Sequence, residues 1–250
     1  MLASAFAAAA YCLIAWPIGA LAGFALHIAW HVLDGADGDL ARRTGRSSPT
    51  GEIVDGVCDY LSHIVLYSAL AAVLSSQIGG WAWLLAAASG AARAVQANSY
   101  ETRRRNYQYW IQGGSWLRQT LSVNQPSVCD RKVNPLMQRL GRAYLAVSEH
   151  VSAQDPKLDA ALTLGLRGDA KTIAATRTLY RKHQAGGLRG SFLLSSNDRT
   201  VALFVSMLAG SPLYFFCYEI VGLSLLLGAT LIQQRRRNAA LVAALGQVSM

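Results

Sequence analysis

Long apolar runs alternate with short polar breaks along most of this chain. Residues 1–33 contain no Asp, Glu, Lys or Arg, and neither do residues 60–92. A third stretch, Thr200 to Gln234, is interrupted by Glu219 alone. An uncharged run beyond roughly 18 residues reads as a membrane-spanning helix, which needs about 20. The first two runs are each long enough for a helical hairpin. Breaks fall where hairpins would turn: Pro17 in the first, Ser75 to Gly80 in the second, Gly210-Ser211-Pro212 in the third. The pattern predicts helices over residues 1–16, 18–33 (running on into polar residues), 53–74, 81–98, 192–209 and 213–232. The expected fold class is all-α: a polytopic membrane protein of about six spans, with both ends on the same side. This reading outweighs a large soluble all-α core.

Residues 101–190 break the pattern. They are polar and Arg-rich, with Pro126, Pro135 and Pro156 as interruptions, and read as several short helices outside the bilayer. Leu158 to Leu166 is mostly apolar but too short to span. The expected organisation is therefore 1–100 with four spans, 101–190 as an inserted cytoplasmic helical segment, and 191–250 with the last two spans and a basic tail.

Charge fixes the orientation. The chain is 52% hydrophobic and 15% charged, with net charge +9. Arg42, Arg43 and Arg46 follow the second apolar segment, Arg103 to Arg105 the fourth, and Arg235 to Arg237 the last, while the intervening turns carry no Lys or Arg. This positive-inside pattern places the residues around 34–59, the middle segment and the C-terminus in the cytoplasm. The basic excess thus serves topology and contact with anionic lipids rather than nucleic acid. Cys12, Cys58, Cys129 and Cys217 are scattered without a CxxC pair, so neither a disulfide framework nor a zinc site is expected. The start lacks the basic n-region of a signal peptide. Its first apolar helix is short for crossing a bilayer, and the expectation is a start upstream of Met1.

Beside these apolar runs stand four carboxylates, Asp34, Asp37, Asp55 and Asp59. Charge near a bilayer is costly unless it faces a cavity, a partner or a metal. Asp34 and Asp37 are three apart and Asp55 and Asp59 four apart, so on helices each pair shares a face. Gly45, Pro49 and Gly51 between them suit a turn. Two antiparallel helices would then present four carboxylates to one gap, where mutual repulsion raises their proton affinity unless a cation intervenes. Mg²⁺ (or Mn²⁺) takes oxygen ligands and commonly carries substrate phosphates. Gly38 and Gly51 let a flat group or phosphate approach the backbone, Ala41 keeps the face small, Arg42 can clamp a phosphate, and Ser48 offers a hydroxyl.

The segment Asp34-Gly35-Ala36-Asp37-Gly38-Asp39-Leu40-Ala41-Arg42, then eight residues, Gly51, three residues, Asp55, three residues and Asp59, resembles the signature of the CDP-alcohol phosphotransferase family at every signature position. Chance agreement at eight fixed positions is on the order of 10⁻⁷ at average residue usage, so the match is not fortuitous. The resemblance implies phosphatidyl transfer from a CDP-linked lipid such as CDP-diacylglycerol to an alcohol acceptor, with release of CMP. It implies that Asp34, Asp37 and Asp55 bind divalent metal. Asp59 is then the general base on the acceptor hydroxyl and also touches metal. It places Gly38, Ala41, Arg42, Gly51 and the hydroxyl of Ser48 around the CDP moiety. It further implies a site on the cytoplasmic side of a bacterial inner membrane and, often in the family, a homodimer. Two departures stand out: the short polar segment that usually precedes the first span is missing, and the 101–190 insertion is longer than in compact members.

Other polar residues carry two readings each. Arg93, Asn98 and Arg103 to Arg105 read first as positive-inside anchors, and second, with Arg199, as a pocket for a phosphorylated polyol. Asn197, Asp198 and Arg199 either cap the fifth span or face the substrate. His27 and His31 share a helix face and read as a satisfied polar patch rather than a metal site. His63 follows Asp59 by four, which offers a pairing. Tyr107, Tyr109, Trp110 and Trp116 suggest an amphipathic helix on the membrane surface. Two other functions use Asp-rich sites. An intramembrane prenyltransferase usually needs two well-separated Asp motifs, whereas both pairs here lie within 26 residues. A divalent-cation transporter or binder does not account for Arg42 and the glycines.

Overall fold

The computed structural model describes residues 2–45, 49–112, 155–194 and 196–248, without the side chains of residues 2–3, 41–42, 49–57, 112, 189, 196–197 and 247–248. Ser48, Trp116, Pro126, Cys129 and Pro135 lie outside the described residues, as do the side chains of Ala41, Arg42 and Asp55. The described chain is all helix: α1 Leu2–Leu13, α2 Ile18–Arg43, α3 Pro49–Ile78, α4 Trp81–Gln112, α5 Pro156–Gly165, α6 Ala170–Gly190, a 3₁₀ turn Phe192–Leu194, α7 Ser196–Leu208, α8 Leu213–Cys217, a π-helical turn Tyr218–Gly222, and α9 Leu223–Val248.

The chain is an all-α membrane protein. Among the described residues three helices are long and apolar enough to cross a bilayer: Ile18–Leu40, Cys58–Ile78 and Leu213–Gly246. Ser4–Leu13 is apolar but shorter. Val32, Leu33, Ile64, Trp83, Leu84 and Leu225 point outward, an apolar surface suited to lipid rather than water. At 13 residues, α7 rises only about 20 Å, against a hydrocarbon core of about 30 Å.

The contacts divide into two compact units. The first comprises Met1–Arg93 and Ser196–Gly222. Its core gathers Tyr11, Leu66, Tyr67, Leu70, Leu203 and Phe216 around a set of alanines. Small residues let helices without a hydrophobic driving force in lipid approach closely. Gly23 is the clearest case, since a Cβ there would lie 2.5 Å from the buried Tyr11 ring. The turns predicted at Ser75 to Gly80 and at Gly210 to Pro212 are present, and each carries a glycine with left-handed backbone, Gly79 at φ 63° and Gly210 at φ 85°, which L side chains rarely adopt. The Gly210 turn is stitched by Ser206, whose hydroxyl donates to the Ser211 carbonyl (2.6 Å) and accepts from the Phe215 amide (2.9 Å).

The second unit comprises Ala94–Ser195 and Leu223–Met250. Trp110, Leu158, Leu162, Tyr180, Leu241 and Leu245 form its core. Helix α5 starts where Pro156 predicts a break: Asp155 caps it by accepting from the Lys157 amide at 3.0 Å, and Pro occupies the first turn, where its missing N–H costs nothing. Asp169 likewise accepts from the Thr172 amide (2.9 Å), and hydrogen bonds from the Thr172 hydroxyl, first, and its amide hold the carboxyl below the usual range. Helices α6 and α9 are joined by an amide cluster in which Gln184 and Gln234 both donate to Asn238 Oδ1, at 2.9 and 3.0 Å.

Among the boundaries that differ from the sequence reading, two bear on the site. Helix α4 does not stop near Asn98 but continues to Gln112. Hydropathy falls at Arg93, yet Ala, Gln, Glu and Arg are all strong helix formers, so the backbone carries on beyond the apolar part. Gly51 lies in the first turn of α3 rather than in the preceding turn, because Pro49 already suits the first helical position.

Candidate active site

Helix α2 is apolar up to Leu33 and then carries the first half of the motif in its last turns. Asp34 and Asp37 sit there with exposed side chains, and Gly38 is partly buried. Ala41 and Arg42 follow on the same helix, which Gly45 (φ 66°) helps to end. Helix α3 carries the second half in its first turns: Gly51, Asp55 and Asp59, before the apolar part begins. Both helices pack on α1. The spacings therefore act as expected along each helix. Asp34 and Asp37 share a face of α2, and Asp59 follows Asp55 by about one turn of α3. The donor set is carboxylate only, which suits a hard divalent cation. Among the described residues no three His, Cys, Asp or Glu side chains converge on a metal position.

Asp59 is about half exposed and faces His63, one turn further on. The imidazole Nδ1 lies 2.7 Å from the Asp59 carbonyl oxygen and 3.4 Å from its carboxylate. On its other side, Nε2 meets Nη2 of Arg93. A guanidinium only donates, so Nε2 is the acceptor and Nδ1 carries the hydrogen that Asp59 receives. The pairing offered by the spacing is thus made, chiefly with the backbone carbonyl.

Behind Arg93 lies the residue that the sequence reading passed over. Glu219 is fully buried in the π-helical turn. Its Oε2 accepts from the hydroxyls of Tyr67 and Ser89. Its Oε1 faces Nε of Arg199 at 2.9 Å and Nη1 of Arg93 at 3.7 Å. A buried carboxylate is tolerated only when paired and hydrogen-bonded, and this one is both. The signal was present, because a lone charge inside a 35-residue apolar stretch is a functional candidate. It lacked a spacing partner, and its partners are distant in sequence.

The chain Glu219–Arg93–His63–Asp59 revises the reading of Arg93. That arginine is turned into the helix bundle, with 14% of its side chain exposed, rather than anchored at the membrane surface. Arg199 is likewise buried on Glu219, and Asp198 occupies the first turn of α7. The Asn197 side chain lies outside the described residues. His27 and His31 form a stacked ring ladder with Trp30, and His31 Nε2 contacts the Thr200 hydroxyl at 2.8 Å. The patch expected from the sequence is satisfied only in part: His27 Nε2 faces the same hydroxyl at 3.5 Å, while its buried Nδ1 has no hydrogen-bond partner among the described residues. These imidazoles, His63 and the two arginines line one small cavity of the first unit.

Lipid-facing helices and a carboxylate motif straddling a helix break define an integral membrane protein of all-helical class. Residues 1–113, which contain the whole motif, match the model of the CDP-alcohol phosphatidyltransferase family. Comparison with curated proteins and with solved structures gives no match. The family consists of membrane transferases of phospholipid biosynthesis that move a phosphatidyl group from a CDP-alcohol to an alcohol, and its members generally depend on a divalent cation.

Proposed function

We propose that this protein transfers the phosphatidyl group of a CDP-diacylglycerol-type lipid to the hydroxyl of a polar alcohol, releasing CMP, at the cytoplasmic face of a bacterial cell membrane. The observation that carries this reading is the complete signature, Asp34 to Asp59, split between the last turns of α2 and the first turns of α3 within the matched segment. Asp34, Asp37 and Asp55, with Asp59, would hold Mg²⁺ or Mn²⁺. Such an ion supplies charge neutralisation at the diphosphate. Gly38 and Gly51 admit the CDP group close to the backbone, Ala41 keeps that face small, and Arg42 and Ser48 hold its phosphates. Asp59 takes the proton of the acceptor hydroxyl. The freed oxygen attacks the lipid-side phosphorus, the bond from that phosphorus to the CMP oxygen breaks, and CMP leaves with the electron pair. Arg42 stabilises the charge that builds on the phosphate oxygens. His63, fixed by Arg93, holds the backbone at Asp59, so the base meets the acceptor in one geometry.

The topology of this reading has six spans with both ends cytoplasmic, residues 101–190 as a cytoplasmic insertion, and a homodimer as the assembly. The acceptor is a polar alcohol. The test is CMP release by the purified protein with CDP-diacylglycerol and Mg²⁺ across a panel of acceptors that includes free and phosphorylated polyols, amino alcohols and serine. Release that depends on one acceptor supports the reading and names the substrate. No release with any acceptor from folded protein overturns it.

A further inference from the structure

The second unit holds a cavity built on residues that the motif does not use. Arg103 of α4 lines it together with Tyr107, Tyr180, Gln184 and Leu188. Arg103 is more than nine-tenths buried. Its Nη1 donates to the Ser191 hydroxyl at 2.8 Å. Its Nε and Nη2 are buried and have no hydrogen-bond partner among the described residues. These two nitrogens form one edge of the guanidinium, with parallel N–H bonds spaced to meet two oxygens of a single oxyanion.

The neighbouring polar groups do not satisfy that edge. The Asp155 carboxylate is committed to the α5 cap, and neither it nor Asp159, which both line the cavity, hydrogen-bonds that edge. The amides of Gln184, Gln234 and Asn238 bond to one another. Burial lowers the guanidinium pKa to about 10, which still leaves it cationic at neutral pH. A buried cation with two unmet donors is unfavourable in isolation, and an anion relieves both defects at once. The Tyr107 and Tyr180 rings, 5.9 Å apart, line the same cavity as Arg103.

We propose that the Nε/Nη2 edge of Arg103 is a phosphate-binding site, taking either free phosphate or the phosphate of a lipid headgroup, in the cavity that the two tyrosines also line. The site is independent of the carboxylate motif, so its test reads binding and not turnover. Full-length protein in phosphatidylcholine nanodiscs is titrated with inorganic phosphate and followed by calorimetry and thermal unfolding. A parallel sample contains phosphatidic acid in the nanodisc. R103Q and R103K are compared with R104Q, a charge-matched change at the half-exposed neighbour paired with Glu101.

The expected result is phosphate binding in wild type and R104Q, weakened about tenfold or more in R103Q and R103K, because lysine keeps the charge but not the fork. If phosphatidic acid abolishes the response to free phosphate in an Arg103-dependent way, the lipid headgroup is the source. If it has no effect, free phosphate is. Should R103Q fail to fold, Leu188→Phe narrows the cavity without touching the ion and must also weaken binding. Equal phosphate affinity in wild type, R103K and Leu188→Phe, or no response in either nanodisc, overturns the proposal.

Discussion

Glu219 has only apolar neighbours in the sequence, yet in the fold it meets two arginines and two hydroxyls. Replacing it with glutamine keeps its shape and removes the carboxylate charge that faces the buried Arg93 and Arg199. Breaking a buried pair on one side typically costs about 3–5 kcal/mol. Glu219→Gln is therefore expected to lower the unfolding midpoint in detergent sharply, and an unchanged midpoint would contradict the account of this network. His63 makes a subtler prediction. His63→Ala removes the contact to the Asp59 carbonyl while leaving the motif intact. In the CMP-release assay kcat should fall roughly tenfold with donor KM close to wild type, the signature of a lost positioning contact rather than lost binding. A raised KM at unchanged kcat would instead assign His63 to donor binding. The aspartate motif was legible at this scale because its spacings are local. Glu219 and the inward turn of Arg93 were not, because both depend on partners far apart in the chain, and the positive-inside tendency describes arginines as a group rather than any single side chain.

Helices were legible wherever hydropathy and helix propensity change together. Pro17 and the glycines at 79 and 210 end segments close to the predicted places. The end of α4 was misjudged because only hydropathy changes there. The π-helical turn at Tyr218–Gly222 left no mark in the hydropathy pattern, since inserting one residue into a long, mostly apolar helix does not alter its periodicity enough to show. Close approach of α1 and α2 is the element-scale feature most open to test. A Cβ at Gly23 would fall 2.5 Å from Cδ1 and 2.6 Å from Cγ of Tyr11, whose ring is buried and cannot swing clear. Gly23→Ala is expected to destabilise the protein by about 1–3 kcal/mol through overpacking, despite alanine's higher helix propensity. A gain in stability would show that the two helices separate easily.

At the scale of the molecule, the all-α membrane class followed directly from the uncharged runs, while the number of crossings depends on short helices such as α1 and α7, whose lengths alone do not decide it. The six-span topology predicts that a single cysteine at Ser76, in a cysteine-free background, reacts with an impermeant maleimide added to intact cells. One at Thr44, beside the motif, should react only after the membrane is opened. Labelling of the Thr44 position from outside, with the Ser76 position reacting only after opening, would reverse the orientation and move the aspartates off the cytoplasmic face.

The central claim is phosphatidyl transfer with Asp59 as the base, and CMP release by Asp59→Asn set against wild type tests it most directly. The asparagine keeps the size of the side chain but cannot take a proton. Under saturating CDP-lipid, Mg²⁺ and acceptor, the account predicts a rate at least about a hundredfold lower, with CDP-lipid still bound. Release at the wild-type rate would contradict it.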